Sequence, residues 1–305
     1  MRTKVQFRWA NPIALTLLAG VSASPVLAQS AGSTDPYASQ PSAVNVIAVV
    51  RDFKPWSNGS GHVDFERYGN SYIRYGLVAD TLDADGKPII KSLKGSDIST
   101  EFKDKSGRLI NPAHYDQAKG DVAGKLTAKT DNQITSAESF KQWYRDVPGL
   151  NASKQVTMTL NRIANTNKYV FDSGADTPYA SRGGFFPIDK DLFGDQGSSG
   201  HNFAFSTEIE TEFVYEAASN PVFKFTGDDD VWVFIDNKLV IDVGGLHPKK
   251  EQYLDLSRLS WLADGNTYSL KVFHAERHTN ASNFRIETTL KLKAVEPPAT
   301  TALFD

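Results

Sequence analysis

The chain has 305 residues, 33 Lys+Arg, 36 Asp+Glu, 40% hydrophobic residues, 11% aromatics and a formal charge of -3. That composition excludes wholesale disorder, and the charge gives no basis for a general nucleic-acid or anionic-membrane binder. With no cysteine, disulfide staples, thiolate zinc sites and cysteine nucleophiles are excluded as well.

Residues 1–28 read as a secretory signal peptide. Arg2, Lys4 and Arg8 form the positive start, Ile13 to Val21 the short apolar stretch, and Val26-Leu27-Ala28 the cleavage site. Cleavage after Ala28 takes the formal charge from -3 to -6 and predicts an exported protein, extracellular, at the cell surface or periplasmic, with no transmembrane anchor. Residues 29–43 are Ser/Ala/Pro/Gly-rich and read as a flexible leader. Val44 to Arg51 is the first strand, and Asp52 to Ala128 is polar and punctuated by glycine, predicting long loops.

Thr135 to Val147 is the one strong predicted helix. Thr135 and Glu138 suit a capping box, and Phe140, Trp143, Tyr144 and Val147 fall on one face. The period then switches to two: Gln155–Ile163, Phe203–Tyr215, Val222–Phe225, Val231–Ile235, Leu239–Val243, Tyr268–Phe273 and Phe284–Leu292 read as strands. Asp236-Asn237-Lys238 suits a hairpin turn. Short strands with turn signals between them predict a mainly β chain, one large β-sandwich over 44–293 with long loops and one main α-helix. Residues 294–305 read as a flexible tail.

Gly227-Asp228-Asp229-Asp230-Val231-Trp232 concentrates the chemistry. Three adjacent carboxylates between apolar strands repel one another and resist burial. Either a hard cation such as Ca²⁺ neutralises them, or the run is a solvated acidic turn. His247, His274 and His278 could form a zinc cluster, but residues four apart on a strand do not easily share one metal, so structural histidines are the better reading. Glu276 and Arg277 read either as a catalytic acid with an anion clamp or as a buried, loop-tying ion pair. Asp242 is a candidate support for the acidic loop, and Trp232 reads as a sugar-stacking ring or, if its strand is central, as core. No GxSxG elbow or triad-like order is present.

The run from Phe225 to His247 resembles the fibro-slime domain, a secreted module related to the lectin-like protective-antigen domain of flocculins. Arg51-Asp52-Phe53, His62 to Glu66, Trp143 to Gly149, Gly184 to Asp189, His201 to Phe205, Phe273 to His278 and Ser282 to Phe284 extend the likeness over about Val44 to Leu292. The resemblance implies a non-enzymatic, calcium-dependent carbohydrate-binding or adhesion module whose partners are cell-surface or matrix glycans. By that likeness Asp228 and Asp229 are the metal pair, with Asn280 and Asn283 on a second loop as further ligands. Asp230, at a position usually small in the family, Trp232 and His278 are candidate glycan contacts; Asp242, Glu276 and Arg277 are candidate supports. The alternatives are a matrix protein stiffened by calcium without glycan binding, and a secreted glycan hydrolase.

Overall fold

The computed structural model describes residues 35–293, apart from 58, 59, 70, 71, 197–199 and 280. The expected signal peptide, the first part of the leader, the tail and Asn280 lie outside the described residues. In chain order the regular elements are β1 (Ala43–Phe53), β2 (Arg74–Tyr75), β3 (Ser96–Thr100), β4 (Lys125–Ala128), α1 (Ala137–Lys141), β5 (Asn151–Arg162), β6 (Tyr169–Asp172) and α2 (Tyr179–Arg182). They continue as β7 (Phe205–Val214), β8 (Val222–Gly227), β9 (Asp230–Ile235), β10 (Lys238–Val243), β11 (Lys250–Asp255), β12 (Thr267–Glu276), β13 (Phe284–Thr288) and β14 (Lys291–Leu292).

The strands hydrogen-bond in the order β10-β9-β12-β7-β1-β5-β6-β13-β8-β11, with β14 added to β7, and all these pairings are antiparallel. β5 and β6 share only the pairs Asn161↔Val170 and Arg162↔Tyr169. There the sheet turns over, giving two facing layers that nearly close into a barrel-like sandwich. Between them lies the main core, where Val46, Ala48 and Val50 of β1 meet Phe225 of β8 and Ile286 of β13.

A second apolar cluster covers the outer face of the first layer. Trp232 and Phe234 of β9 and Phe273 of β12 pack there against Phe65, Leu77, Phe140 and Trp143. Alternation along β9 explains both clusters: Val231, Val233 and Ile235 face inward and Trp232 and Phe234 outward, so all six residues of the strand are buried. The loops from 62 to 93 and the short helix therefore act as a third layer over β9 and β12.

The helix is shorter than the predicted Thr135–Val147, and its cap differs. Ser136 is the N-cap, closing a reciprocal box with Ser139 rather than Thr135 with Glu138. The helix ends at its C-cap Gln142, and beyond it Asn151 ties the following turns: its Nδ2 donates to the Arg145 carbonyl at 2.8 Å, and its Oδ1 accepts from the Val147 amide at 3.0 Å. Those bonds hold the chain in turns where a second helical turn was expected. Phe140, Trp143 and Tyr144 are still buried as the periodicity predicts, while Val147 is half-buried. The predicted hairpin after β9 is present, with Asp236 (φ 52°) and Asn237 (φ 61°) both left-handed as a type I′ turn requires. Residues 35–42, expected as a flexible leader, form hydrogen-bonded turns tied down by an Asp35–Arg162 ion pair of 2.8 Å and by the Tyr169 hydroxyl donating to Pro41. No helix among the described residues is long and apolar enough to cross a membrane.

Candidate functional site

The sandwich topology brings the acidic run and the second predicted loop together. β8 ends at Gly227 in one layer and β9 begins at Asp230 in the other, so Asp228 and Asp229 make the crossing. β12 ends at Glu276 and β13 begins at Phe284, so residues 277–283 make the return crossing alongside. Register fixes the two loops against each other, with Ala275 opposite Asp230 and Phe284 opposite Gly227. Gly227 is required by this approach, because a Cβ there would lie 2.3 Å from the Asn283 carbonyl oxygen.

Side chains complete the join. The Asp228 carboxylate accepts from the Asn283 backbone amide and, at 2.8 Å, from its Nδ2. Asp229 accepts from the Arg277 amide at 2.9 Å. The Asp228 carbonyl accepts from His274 Nε2 at 3.0 Å; that ring is buried among Phe185, Phe205 and Phe284, and burial drives its pKa down to about 3. His274 is thus a neutral structural histidine. Among the described residues, no three His, Asp or Glu side chains stand ready-made as metal ligands, so the zinc cluster has no support here.

The two aspartates line an open cleft of about 330 Å³ together with His247, Lys249, His278 and Asn283. Glu66 braces its rim, accepting from the Thr279 hydroxyl and facing His278 Nδ1 at 3.2 Å, while its own amide donates to the Arg277 carbonyl. A cleft of about 380 Å³ beside β5 lies among Thr157, Thr177 and Tyr179, and its one carboxylate, Asp176, is only half-buried. The smaller cleft holds the unusual electrostatics.

Those electrostatics are an excess of buried acid. Asp228, Asp229, Asp230 and Glu276 are each at most 5% exposed. Arg277, fully buried, is the one guanidinium among them, and it is spent on Asp230 at 2.5 Å. Burial pushes the Asp228 carboxyl above its ordinary range, against the hydrogen bonds from Asn283. Burial likewise pushes up Asp229, where the Asp230 and Asp228 charges add to the rise against the Arg277 guanidinium, and Glu276, where Asp229 and Asp228 add to it.

Several expectations are corrected by this geometry. Trp232 offers no face to a sugar: β9 lies between β10 and β12, and the ring is fully buried against Phe140 and Trp143. Asp230 is not a ligand contact either, because its two oxygens are taken by Arg277 and by the Gly245 amide at 2.6 Å. Glu276 and Arg277 do not pair with each other; they are successive residues whose side chains diverge, and the loop-tying ion pair runs from Arg277 to Asp230. Asp242 props the outer layer rather than the acidic loop, accepting from Trp232 Nε1 at 3.1 Å and from the Gly76 amide at 2.8 Å. Asn283 and His278 are at the cleft as expected.

Burial of Asp242 has a consequence for pH. Its carboxyl is pushed up from 3.8 to about 7, chiefly by desolvation. The charged form therefore costs stability, absent below the ordinary pKa and fully present once pH exceeds the folded one. The stability of Asp242→Asn relative to wild type should move in the variant's favour by a few kcal/mol, at about 1.4 kcal/mol per unit, as pH rises from 3.8 to about 7. Denaturant titrations at the two ends of that window check it; a difference independent of pH would contradict it.

Glu66, Thr279, His247 and Lys249 were not singled out from the sequence as cleft residues. Glu66 and His247 lie inside segments that carry the family resemblance, which was the available signal. Lys249 and Thr279 are ordinary polar loop residues whose placement only the fold reveals.

Fold and site together define a β-sandwich with an acidic cleft built from two inter-sheet crossings. Residues 165–301 match the model of the PA14 domain, which bears out the protective-antigen-like part of the resemblance. The chain is similar to two Dictyostelium discoideum proteins: it is 33% identical to protein psiH over 262 residues (83% of this chain, 31% of psiH) and 40% identical to protein psiI over 150 residues (46% and 19%). It spans about a third of psiH and less than half of seven other curated relatives. Among solved structures, the GH31 α-xylosidase of Xanthomonas citri is 14% identical with a TM-score of 0.24, covering 82% of this chain and 25% of that one, a likeness that carries no argument. The PA14 match begins after β5, yet β1 pairs with both β5 and β7, so the folded unit is larger than the matched segment.

Proposed function

We propose that this chain is an exported, non-enzymatic carbohydrate-binding or adhesion module that holds one calcium ion at Asp228 and Asp229, with Asn283 beside them. The observation that carries the reading is the pair of buried aspartates at the mouth of a cleft with no guanidinium of their own. The donor set fits a hard cation, being oxygen throughout: two carboxylates, the Asn283 side-chain carbonyl and loop carbonyls. Asn280, on the same loop, belongs to the proposed ligand set through the family likeness alone. When bound, a divalent ion supplies neutralising charge and coordination positions that vicinal sugar hydroxyls can fill.

The protein's own residues do the rest. Asn283 orients the Asp228 carboxylate, the Arg277 amide orients Asp229, and His278 and Lys249 offer hydrogen-bond donors at the rim. A cleft of about 330 Å³ is at the small end for ligand sites, which fits one or two sugar rings and modest affinity per site. Adhesion would then draw on multivalency. Calcium affinity should lie around 10⁻⁶ to 10⁻³ M, the range of sensors and extracellular modules.

The test is a glycan array probed with wild type and Asp229→Asn, with calcium and with chelator. The proposal expects binding by the wild type in calcium alone, and none by the variant. Glycan binding that survives chelation would overturn the calcium part; calcium binding with no glycan bound would leave a calcium-stiffened matrix protein.

A further inference from the structure

A further cleft, of about 560 Å³, opens between the segment ahead of β2 and the segment ahead of α1. It shares no lining residue with the acidic cleft. Tyr68 and Tyr72 line it from the first segment, and Lys129, Asp131, Asn132 and Gln133 from the second. Tyr72 is 66% exposed, an aromatic ring left to solvent. Tyr68 is half-buried and fixed in place. The Thr135 hydroxyl donates to the Val63 carbonyl at 3.2 Å, so the Tyr68 hydroxyl donates to Thr135 Oγ1 at 2.8 Å.

Gln133 supplies the polar group that calls for a ligand. It is only 3% exposed, yet its side-chain carbonyl Oε1 meets no donor. Neighbours hold the residue on several sides. Its backbone amide donates to the Leu93 carbonyl at 2.8 Å, its backbone carbonyl accepts from Arg277 Nη1 at 2.9 Å, and its Nε2 lies 3.4 Å from the Asp131 carboxylate. An acceptor buried that far without a partner costs free energy. A hydroxyl seated in the cleft supplies the missing donor.

Charge narrows the class of ligand. Arg74, which also lines the cleft, pairs with Asp97 at 2.8 Å and with Asp131 at 2.6 Å, and Lys129 pairs with Asp97 at 3.0 Å. Two cations thus face two carboxylates, which leaves no net charge to attract an anion or a cation. Tyrosine rings suit the C–H face of a sugar, and amide and carboxylate groups suit its hydroxyls. We infer that this cleft is a second binding site, taking one or two rings of an uncharged sugar without a metal ion. Tyr72 is its stacking face and Gln133 its buried acceptor. The site goes beyond the calcium reading and does not depend on it.

Affinity electrophoresis in chelator tests it, through gels holding soluble β-glucan, galactomannan or mannan, with polygalacturonate as the acidic comparison. Wild type should be retarded by at least one of the three neutral polysaccharides. Tyr72→Ala, at an exposed position, should bind that polysaccharide about tenfold more weakly. Tyr72→Phe keeps the ring and should bind like wild type. Gln133→Met keeps most of the volume without the acceptor, and should bind about threefold to tenfold more weakly. A wild type that none of the three retards would overturn the inference, as would stronger retardation by polygalacturonate. So would wild-type retardation of Tyr72→Ala. Chelator keeps the acidic cleft free of any ion, so each of these failures leaves the calcium reading standing.

Discussion

Arg277→Met should destabilise the chain by about 3–5 kcal/mol in calcium-free buffer, the range for removing one partner of a buried ion pair. The guanidinium is fully buried and holds three segments at once. It pairs with Asp230 at the start of β9, donates at 2.9 Å to the Gln133 carbonyl before α1, and contacts the Asp64 carbonyl at 3.3 Å. Methionine fills much of the volume but leaves the Asp230 carboxylate alone with the Gly245 amide. Asp230→Asn added to Arg277→Met should therefore recover part of the loss, since the stranded charge is then gone. Urea titration of the single and double variants measures this. A single-variant loss below about 1 kcal/mol would mean the pair is worth no more than a surface one.

Trp143→Ala is expected to cost a similar amount, about 3–5 kcal/mol, as for large aromatic truncations in cores. The ring is fully buried between Phe140, Phe65 and Trp232, and the Arg277 guanidinium lies 4.7 Å from its centroid. Its Nε1 donates to Asp64 Oδ2 at 3.0 Å, and Asp64 Oδ1 in turn accepts from the Thr135 amide ahead of the helix. Truncation thus opens a cavity and strips a buried carboxylate of one donor. Trp143→Phe separates the two effects: it keeps most of the packing and should cost about 1–3 kcal/mol for the orphaned acceptor. Wild-type stability in Trp143→Ala would mean that the third layer contributes nothing to the fold.

The strands were legible because alternation is a local property. Val44 to Arg51, Val231 to Ile235 and the Asp236-Asn237 turn were readable from spacing and residue type alone. β6, β11 and the short strands β2, β3 and β4 were not, since each is half-buried or only a few residues long and owes its pairing to a distant neighbour. The helix is shorter than its periodicity implies: it stops at Gln142, and the turns that replace its second half are tied by Asn151, outside the periodic segment. At the site, the acidic run stood out as a chemical anomaly, but its environment did not. Whether Trp232 faced a ligand depended on β9 being central, and whether Arg277 paired with Glu276 or Asp230 depended on which sides of two strands met. Both are consequences of sheet order, which no local pattern encodes.

The central claim is that buried carboxylates at one end of the sandwich are resolved by a divalent ion. The most direct measurement is the melting temperature of wild type and Asp229→Asn, each with calcium and with chelator. At a calcium concentration about a hundredfold above Kd, binding to the native state alone should add about 2.7 kcal/mol to the wild type. Asp229→Asn should show little of that rise. An unchanged wild-type melting temperature in calcium, or an equal rise in Asp229→Asn, would contradict the claim.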